Sequence, residues 1–180
     1  AINAVSATGS VYVAEGFYAE NLIINKGLSL VGNNSALRPC GPHRPHQSVL
    51  MPAIGSTIAQ PLIYVVADNV TITGMDLTAD NPAINTVGGD IGPVNSDSNN
   101  GITNGSFDDD VTYPFVSIKN LAVSYNIFYS FNDTALQLYN PGAAPVSTNN
   151  SVLFNCFKDM TGENTLSPGG PYNRIGVLIY

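Results

Sequence analysis

The chain contains no tryptophan and little charge. Charged residues fill 11% of its 180 positions, less than half the roughly 25% usual in soluble domains. Cations are scarcest: six Lys and Arg stand against thirteen Asp and Glu, a net charge of −7. Six cations cannot readily build the basic stripe that neutralises nucleic-acid phosphates, so a nucleic-acid partner is excluded. Electrostatic attachment to an anionic membrane is disfavoured for the same reason. No apolar run approaches the ~20 residues of a membrane-spanning helix, so no membrane insertion is expected. Helical periodicity is also missing. Only Ala1 to Val5 could end a short helix, stopped by "SATGS".

Hydrophobic residues make up 44% of the chain, enough for one packed domain, expected over residues 1–180, rather than a disordered chain. Short apolar runs alternate with period two and end in Asn, Gly, Asp or Pro, the pattern of β-strands. Strands are expected at "SVYVA" from Ser10, "LIIN" from Leu22, "LSLVG" from Leu28, "PLIYVVA" from Pro61 and "VTITG" from Val70. More follow at "PFVSI" from Pro114, "LAVSYN" from Leu121, "ALQLY" from Ala135, "SVLFN" from Ser151 and "IGVLIY" from Ile175. Two polar stretches, 32–47 and 80–110, read as long inserted loops of the kind that carry contacts or function.

An internal repeat links these strands. With "GLSLVGNN", "NVTITGMDL", "NLAVSYNIF" and "NNSVLFNCF" set side by side, Leu30, Ile72, Val123 and Val152 share a column. Leu28, Val70 and Leu121 share another, and Leu77, Phe128 and Phe157 a third. Gly32 and Gly74 match at the turn, and Asn33, Asn126 and Asn155 share the next position. The unequal gaps between copies leave room for an extra coil, for inserted loops, or for both. Short strands that bury one face by stacking on the same strand of the next coil make a β-solenoid, with aliphatics stacked inside and Asn stacked at the turns.

The opening "AINAV…GSVYVAEGFYAENLIINKGLSLVGNNS" resembles the first coils of right-handed parallel β-helix proteins, the pectin-lyase-like superfamily with its NosD-like repeats. Val11, Val13, Gly16, Tyr18, Glu20, Ile23, Leu28, Leu30 and Gly32 occupy the matching positions. The resemblance is strong over about a fifth of the chain. It implies an all-β fold, a right-handed single-stranded parallel β-helix, and leaves function open among lyases, hydrolases, adhesins, metal-site maturation factors and envelope proteins. Lyases of this group hold calcium with clustered Asp, and hydrolases pair Asp residues with a Gly-His-Gly and an Arg-x-Lys motif. Here Asp76, Asp80, Asp133 and Asp159 lie near strand ends without those patterns, and Arg174 has no Arg-x-Lys partner. No catalytic residue is assigned, and the −7 charge would repel a polyanionic substrate.

Other residues carry weaker signals. Cys40, His43 and His46 in "CGPHRPH" have ligand types suited to zinc or copper, on a loop that Pro42 and Pro45 stiffen. Cys40 and Cys156 could instead form a disulfide in an oxidising compartment, if their Cα atoms come close enough. Asp108, Asp109 and Asp110, with "NSDSNNG" from Asn95, are a calcium candidate set against a plain solvated loop; no cofactor is otherwise expected. Asn-x-Ser/Thr acceptors begin at Asn33, Asn69, Asn104, Asn132 and Asn149, with Asn104 the foremost glycan candidate. Tyr125, Tyr129 and Tyr139 form either a sugar-stacking platform or ordinary strand cover.

The chain opens at Ala1 without an initiator Met or a leader, and it ends on the apolar strand "IGVLIY". The expectation is a processed or trimmed chain, or part of a larger one, whose Ile175, Val177, Ile179 and Tyr180 offer an uncapped coil for assembly with another copy. The leading expectation is therefore a non-enzymatic extracellular or cell-surface β-helix protein that self-assembles into a filament, sheath or envelope layer. The alternative is a carbohydrate-binding or polysaccharide-cleaving domain. A metal-handling reading rests on Cys40, His43 and His46.

Overall fold

In a computed structural model of the chain, residues 2–41, 44–57, 59–83, 100–106, 111–131, 134–139, 147–158 and 175–179 are described. A 3-10 turn at Ile2–Ala4 stands where the helix end was expected. Among the described residues fifteen strands follow, in five coils of three. The first coil is β1 (Ser10–Val13), β2 (Gly16–Ala19) and β3 (Leu22–Ile24). The second is β4 (Ser29–Gly32), β5 (Ser48–Met51) and β6 (Ile63–Val65), and the third is β7 (Thr71–Thr73), β8 (Asp76–Thr78) and β9 (Asn100–Thr103). The fourth is β10 (Ala122–Ser124), β11 (Ile127–Tyr129) and β12 (Thr134–Leu138). The fifth is β13 (Ser151–Leu153), β14 (Cys156–Lys158) and β15 (Ile175–Ile179).

Each strand pairs in parallel with its counterpart one coil away, giving three five-stranded sheets: β1-β4-β7-β10-β13, β2-β5-β8-β11-β14 and β3-β6-β9-β12-β15. This is a parallel β-helix. The register follows the apolar columns. Val11, Leu30, Ile72, Val123 and Val152 stack in the first sheet. Tyr18, Leu50, Leu77, Phe128 and Phe157 stack in the second. Leu22, Ile63, Ile102, Leu136 and Val177 stack in the third. Every one of these residues is buried in the three middle coils and only half-buried in the first and last. Among the described residues no strand reaches beyond five residues, so none could bury its apolar face without a neighbour above or below.

Successive copies in the first column are 19, 42, 51 and 29 residues apart. Each interval is one coil, so the unequal gaps come from insertions and not from an extra coil. The stretch 80–110 is a loop only in part, because β9 lies within it. Asn100 is buried there, and a Cβ on Gly101 would overlap the Ala135 carbonyl oxygen, so glycine lets β9 and β12 approach. "PFVSI" is not a strand. Its backbone turns to Asn104 instead of to a ladder: Val116 N–H donates to the Asn104 carbonyl (2.9 Å), and the Asn104 side chain donates to the Val116 carbonyl (2.7 Å).

The turns are held by asparagine amides. Asn126 is fully buried. Its Oδ1 accepts from Met75 N–H (2.9 Å), while its Nδ2 donates to the Ile72 carbonyl (3.0 Å) and to Asn155 Oδ1 (3.1 Å). Asn33 shares this position but does not join the ladder, because Met75 stands in the coil between; its side chain donates to the His46 carbonyl instead. At the entrance to the first sheet, Asn69, Asn120 and Asn149 all adopt left-handed backbone (φ 60°, 57° and 57°). Asparagine tolerates that conformation better than most residues, and Asn120 Nδ2 bridges to Asn69 Oδ1 at 2.8 Å. At the opposite corner of the first sheet Gly74, Tyr125 and Phe154 are left-handed in three successive coils. The two aromatics offset part of that strain by stacking, with centroids 5.3 Å apart.

Candidate functional site

The most organised feature outside the bore is the segment that leaves β4 and returns at β5. It runs along the helix axis over the outer face of the second sheet and bonds to every coil. In the first coil, Glu15 Oε2 lies 2.6 Å from His46 Nδ1, and Gly16 N–H donates to the Gln47 carbonyl (2.9 Å). In its own coil, Asn33 N–H donates to Ser48 Oγ (2.9 Å). In the third, Arg44 Nη1 lies 2.9 Å from Asp76 Oδ1. In the fourth, Arg44 Nη2 donates to the Tyr125 carbonyl (3.0 Å). In the fifth, Cys40 is joined to Cys156 of β14, with Cα atoms 5.4 Å apart. Pro39 and Pro45 lie in this strap, and each fixes φ and lowers the entropy of ordering it.

Arg44 suits its place. A guanidinium presents several donors in a rigid fork and can serve acceptors from two coils at once. Both partners of the ion pair are sealed: side-chain exposure is 2% for Arg44 and 1% for Asp76. Burial pushes the Asp76 carboxyl above its ordinary range, against the opposing pull of Arg44, Lys158 and a Gln47 hydrogen bond. Burial also lowers Arg44, against the pull of Asp76, yet a guanidinium stays charged at neutral pH.

Beside the strap, Tyr129 of β11 and Lys158 of β14 sit in register on the same face. Tyr129 is pushed up to about 12 by burial, then by the negative charges of Asp76 and Asp80, against a Thr78 hydrogen bond. A phenol whose folded pKa is raised lends stability that is fully present below its unfolded value near 10 and is lost as pH rises to about 12. The expected result is a fall in stability of the native chain between pH 10 and 12 that is shallower in Tyr129→Phe, read from urea unfolding at each pH.

Taken together, the strap gathers Asp76, Asp80, Tyr129, Arg44 and Lys158 on one face, but with Asp76 closed to solvent. Glycoside chemistry needs carboxylates that flank an accessible scissile bond, and Asp76 has no such access. Arg44 and Glu15 were not singled out in the sequence. Their signal was weak: one of only six cations, held between two prolines.

Several expected sites change. Cys40 cannot act as a metal ligand, because its sulfur is committed to the disulfide. His46 is paired with Glu15, and His43 lies outside the described residues. No group of three His, Cys, Asp or Glu residues able to hold a metal occurs among the described residues. Asp108, Asp109, Asp110, Asp133, Asp159 and Arg174 lie outside them, as do Asn132 and Tyr180. Asn104 cannot carry a glycan in this fold: it is fully buried, and its amide donates to the Val116 and Tyr139 carbonyls. Asn33, Asn69 and Asn149 are exposed. Tyr125, Tyr129 and Tyr139 form no common platform. Tyr125 packs on Phe154 at the first corner, Tyr129 lies beside Asp76, and Tyr139 packs on Phe115 after β12. Of the expected assembly residues, Val177 faces the bore half-buried and Ile179 is exposed. Comparison with protein-family models, curated proteins and solved structures finds no match to this chain.

Proposed function

We propose that this chain is a structural β-helix subunit, placed outside the cell or on its surface, that self-associates into a filament, sheath or envelope layer. One observation carries the reading: the three inner apolar columns are buried in the middle coils and only half-buried in the first and last. The outer surface repeats the pattern. Among the described residues, six of the nine large exposed hydrophobics lie on the end coils, Tyr12, Phe17 and Ile23 on the first and Leu153, Phe154 and Ile179 on the last, while Leu37, Ile54 and Val111 lie on connections between strands. Contiguous exposed apolar surface marks association sites. The disulfide suits an oxidising compartment.

A second reading, carbohydrate binding or cleavage of the pectin-lyase type, is favoured by the exposed Lys158 beside Tyr129 on the outer face of the second sheet. The sealing of Asp76 weighs against cleavage. Negative-stain electron microscopy and light scattering on the purified chain over rising concentration separate the two. Regular filaments or sheets are expected. A monodisperse monomer at high concentration would sink the structural reading, and assays on acidic polysaccharides with and without calcium would then take precedence.

A further inference from the structure

Resting on the self-association reading above, we infer that the partner is a second copy of this chain bound head to tail, with β13 and β14 of one copy adding in parallel to β1 and β2 of the next. Strand direction decides the polarity. All pairings within the sheets are parallel, and each sheet runs in the same axial order from first coil to last. A copy shifted along the axis therefore offers β13 to β1 with strand direction preserved and both ladders continued. A two-fold partner would join like ends and run its strands antiparallel to them.

The side chains match at this seam, column by column. Continuing the register places Val152 over Val11 and Phe157 over Tyr18, apolar on apolar inside the bore. Phe157 already stacks on Phe128 at 5.0 Å and 13°, and Tyr18 would extend that stack. Outside, Leu153 (55% exposed) falls over Tyr12 (79% exposed). Charge agrees as well. Lys158 continues the column that ends on Ala19, which sets its ammonium beside Glu20 of the next copy. The receiving end also has room: a cavity of about 680 Å³ opens there, walled by Val11, Tyr18, Leu30 and Leu50, with Ile2 and Asn3 of the first turn along part of its rim. Ile2 and Val5 pack against the core at this end, and Lys26, after β3, holds the Asn3 and Val5 carbonyls beside the third sheet, so the seam is assigned to the other two sheets. A head-to-tail contact of this kind is heterologous and grows into open filaments unless the rotation closes a ring.

The test is oxidative cross-linking of the assembled chain carrying Tyr12→Cys and Leu153→Cys. Adjacent strands lie about 4.8 Å apart, within the Cα range a disulfide accepts. Expected is a ladder of covalent dimers, trimers and higher species on a non-reducing gel. Phe17→Cys with Leu153→Cys, which would join different sheets, should give no ladder. A ladder from that pair instead, or dimers formed as readily by Tyr12→Cys alone, would overturn the head-to-tail register while leaving self-association intact. Wild-type chain that never associates would overturn both. A charge swap supplies a readout free of cysteine chemistry. Lys158→Glu should raise the concentration needed for assembly about two- to fivefold, and adding Glu20→Lys should restore it. Failure of the swap to restore assembly would count against Lys158 meeting Glu20.

Discussion

Replacing Cys40 and Cys156 by serine is expected to lower the stability of the chain by about 2–5 kcal/mol, measured as the urea midpoint and slope against the oxidised wild type. The two cysteines are 116 residues apart, and the chain-entropy relation for a closed loop of that length gives roughly 5 kcal/mol. Structure remaining in the unfolded ensemble brings the figure down. The larger consequence concerns cooperativity. In a solenoid each coil touches only its neighbours, and unfolding can start at an end and proceed coil by coil. The disulfide ties a segment rooted in the second coil to the fifth, so the fifth coil cannot peel away while the second stands. Without it, amide exchange in β13 and β14 should accelerate well ahead of β7 and β8. Equal acceleration throughout would show that the strap adds stability without coupling the coils.

The parts of this fold that could be read from the sequence are those in which like stacks on like. Leu30, Ile72, Val123 and Val152 lie in register however long the segments between them, because an apolar column depends on the coil and not on the loop. Strands of the first sheet, and of the third apart from β9, were legible on the same ground. Of the second sheet only the column of Leu77, Phe128 and Phe157 was legible, and none of its strands was expected. β10 and β11 are separated only by Tyr125 and Asn126, and a three-residue strand shows no alternation of its own. The strap also covers its outer side, so Asp76, Ile127 and Cys156 are buried along with inward-facing Leu77 and Phe128. A strand buried on both faces loses the polar half of its pattern. The ion pair was hidden for a related reason: Arg44 meets Asp76 only because the second and third coils stack and the strap runs along the axis.

That ion pair gives the second large effect. Arg44→Met is expected to cost about 3–5 kcal/mol near neutral pH, since it strands a buried carboxylate. The disulfide keeps the strap in place, so the site cannot open freely to hydrate Asp76. The deficit should shrink as pH falls, because a protonated Asp76 needs no counter-charge, and burial has already raised its pKa. Asp76→Leu should cost a similar amount without that relief, for the guanidinium left behind cannot shed its proton. The double variant Arg44→Met/Asp76→Leu should recover most of the loss. The pair is imperfect: Arg44 Nε is buried without a hydrogen-bond partner among the described residues, and such a group carries an uncompensated desolvation cost. Replacing both charges removes that cost along with the attraction, which is why buried pairs exchange for apolar side chains with little net change. The double-mutant cycle at pH 4 and pH 8 therefore measures what the contact contributes. A double variant as unstable as the sum of the singles would mean that Arg44 works through the Tyr125 carbonyl alone, and that the strap is anchored to the fourth coil and not the third.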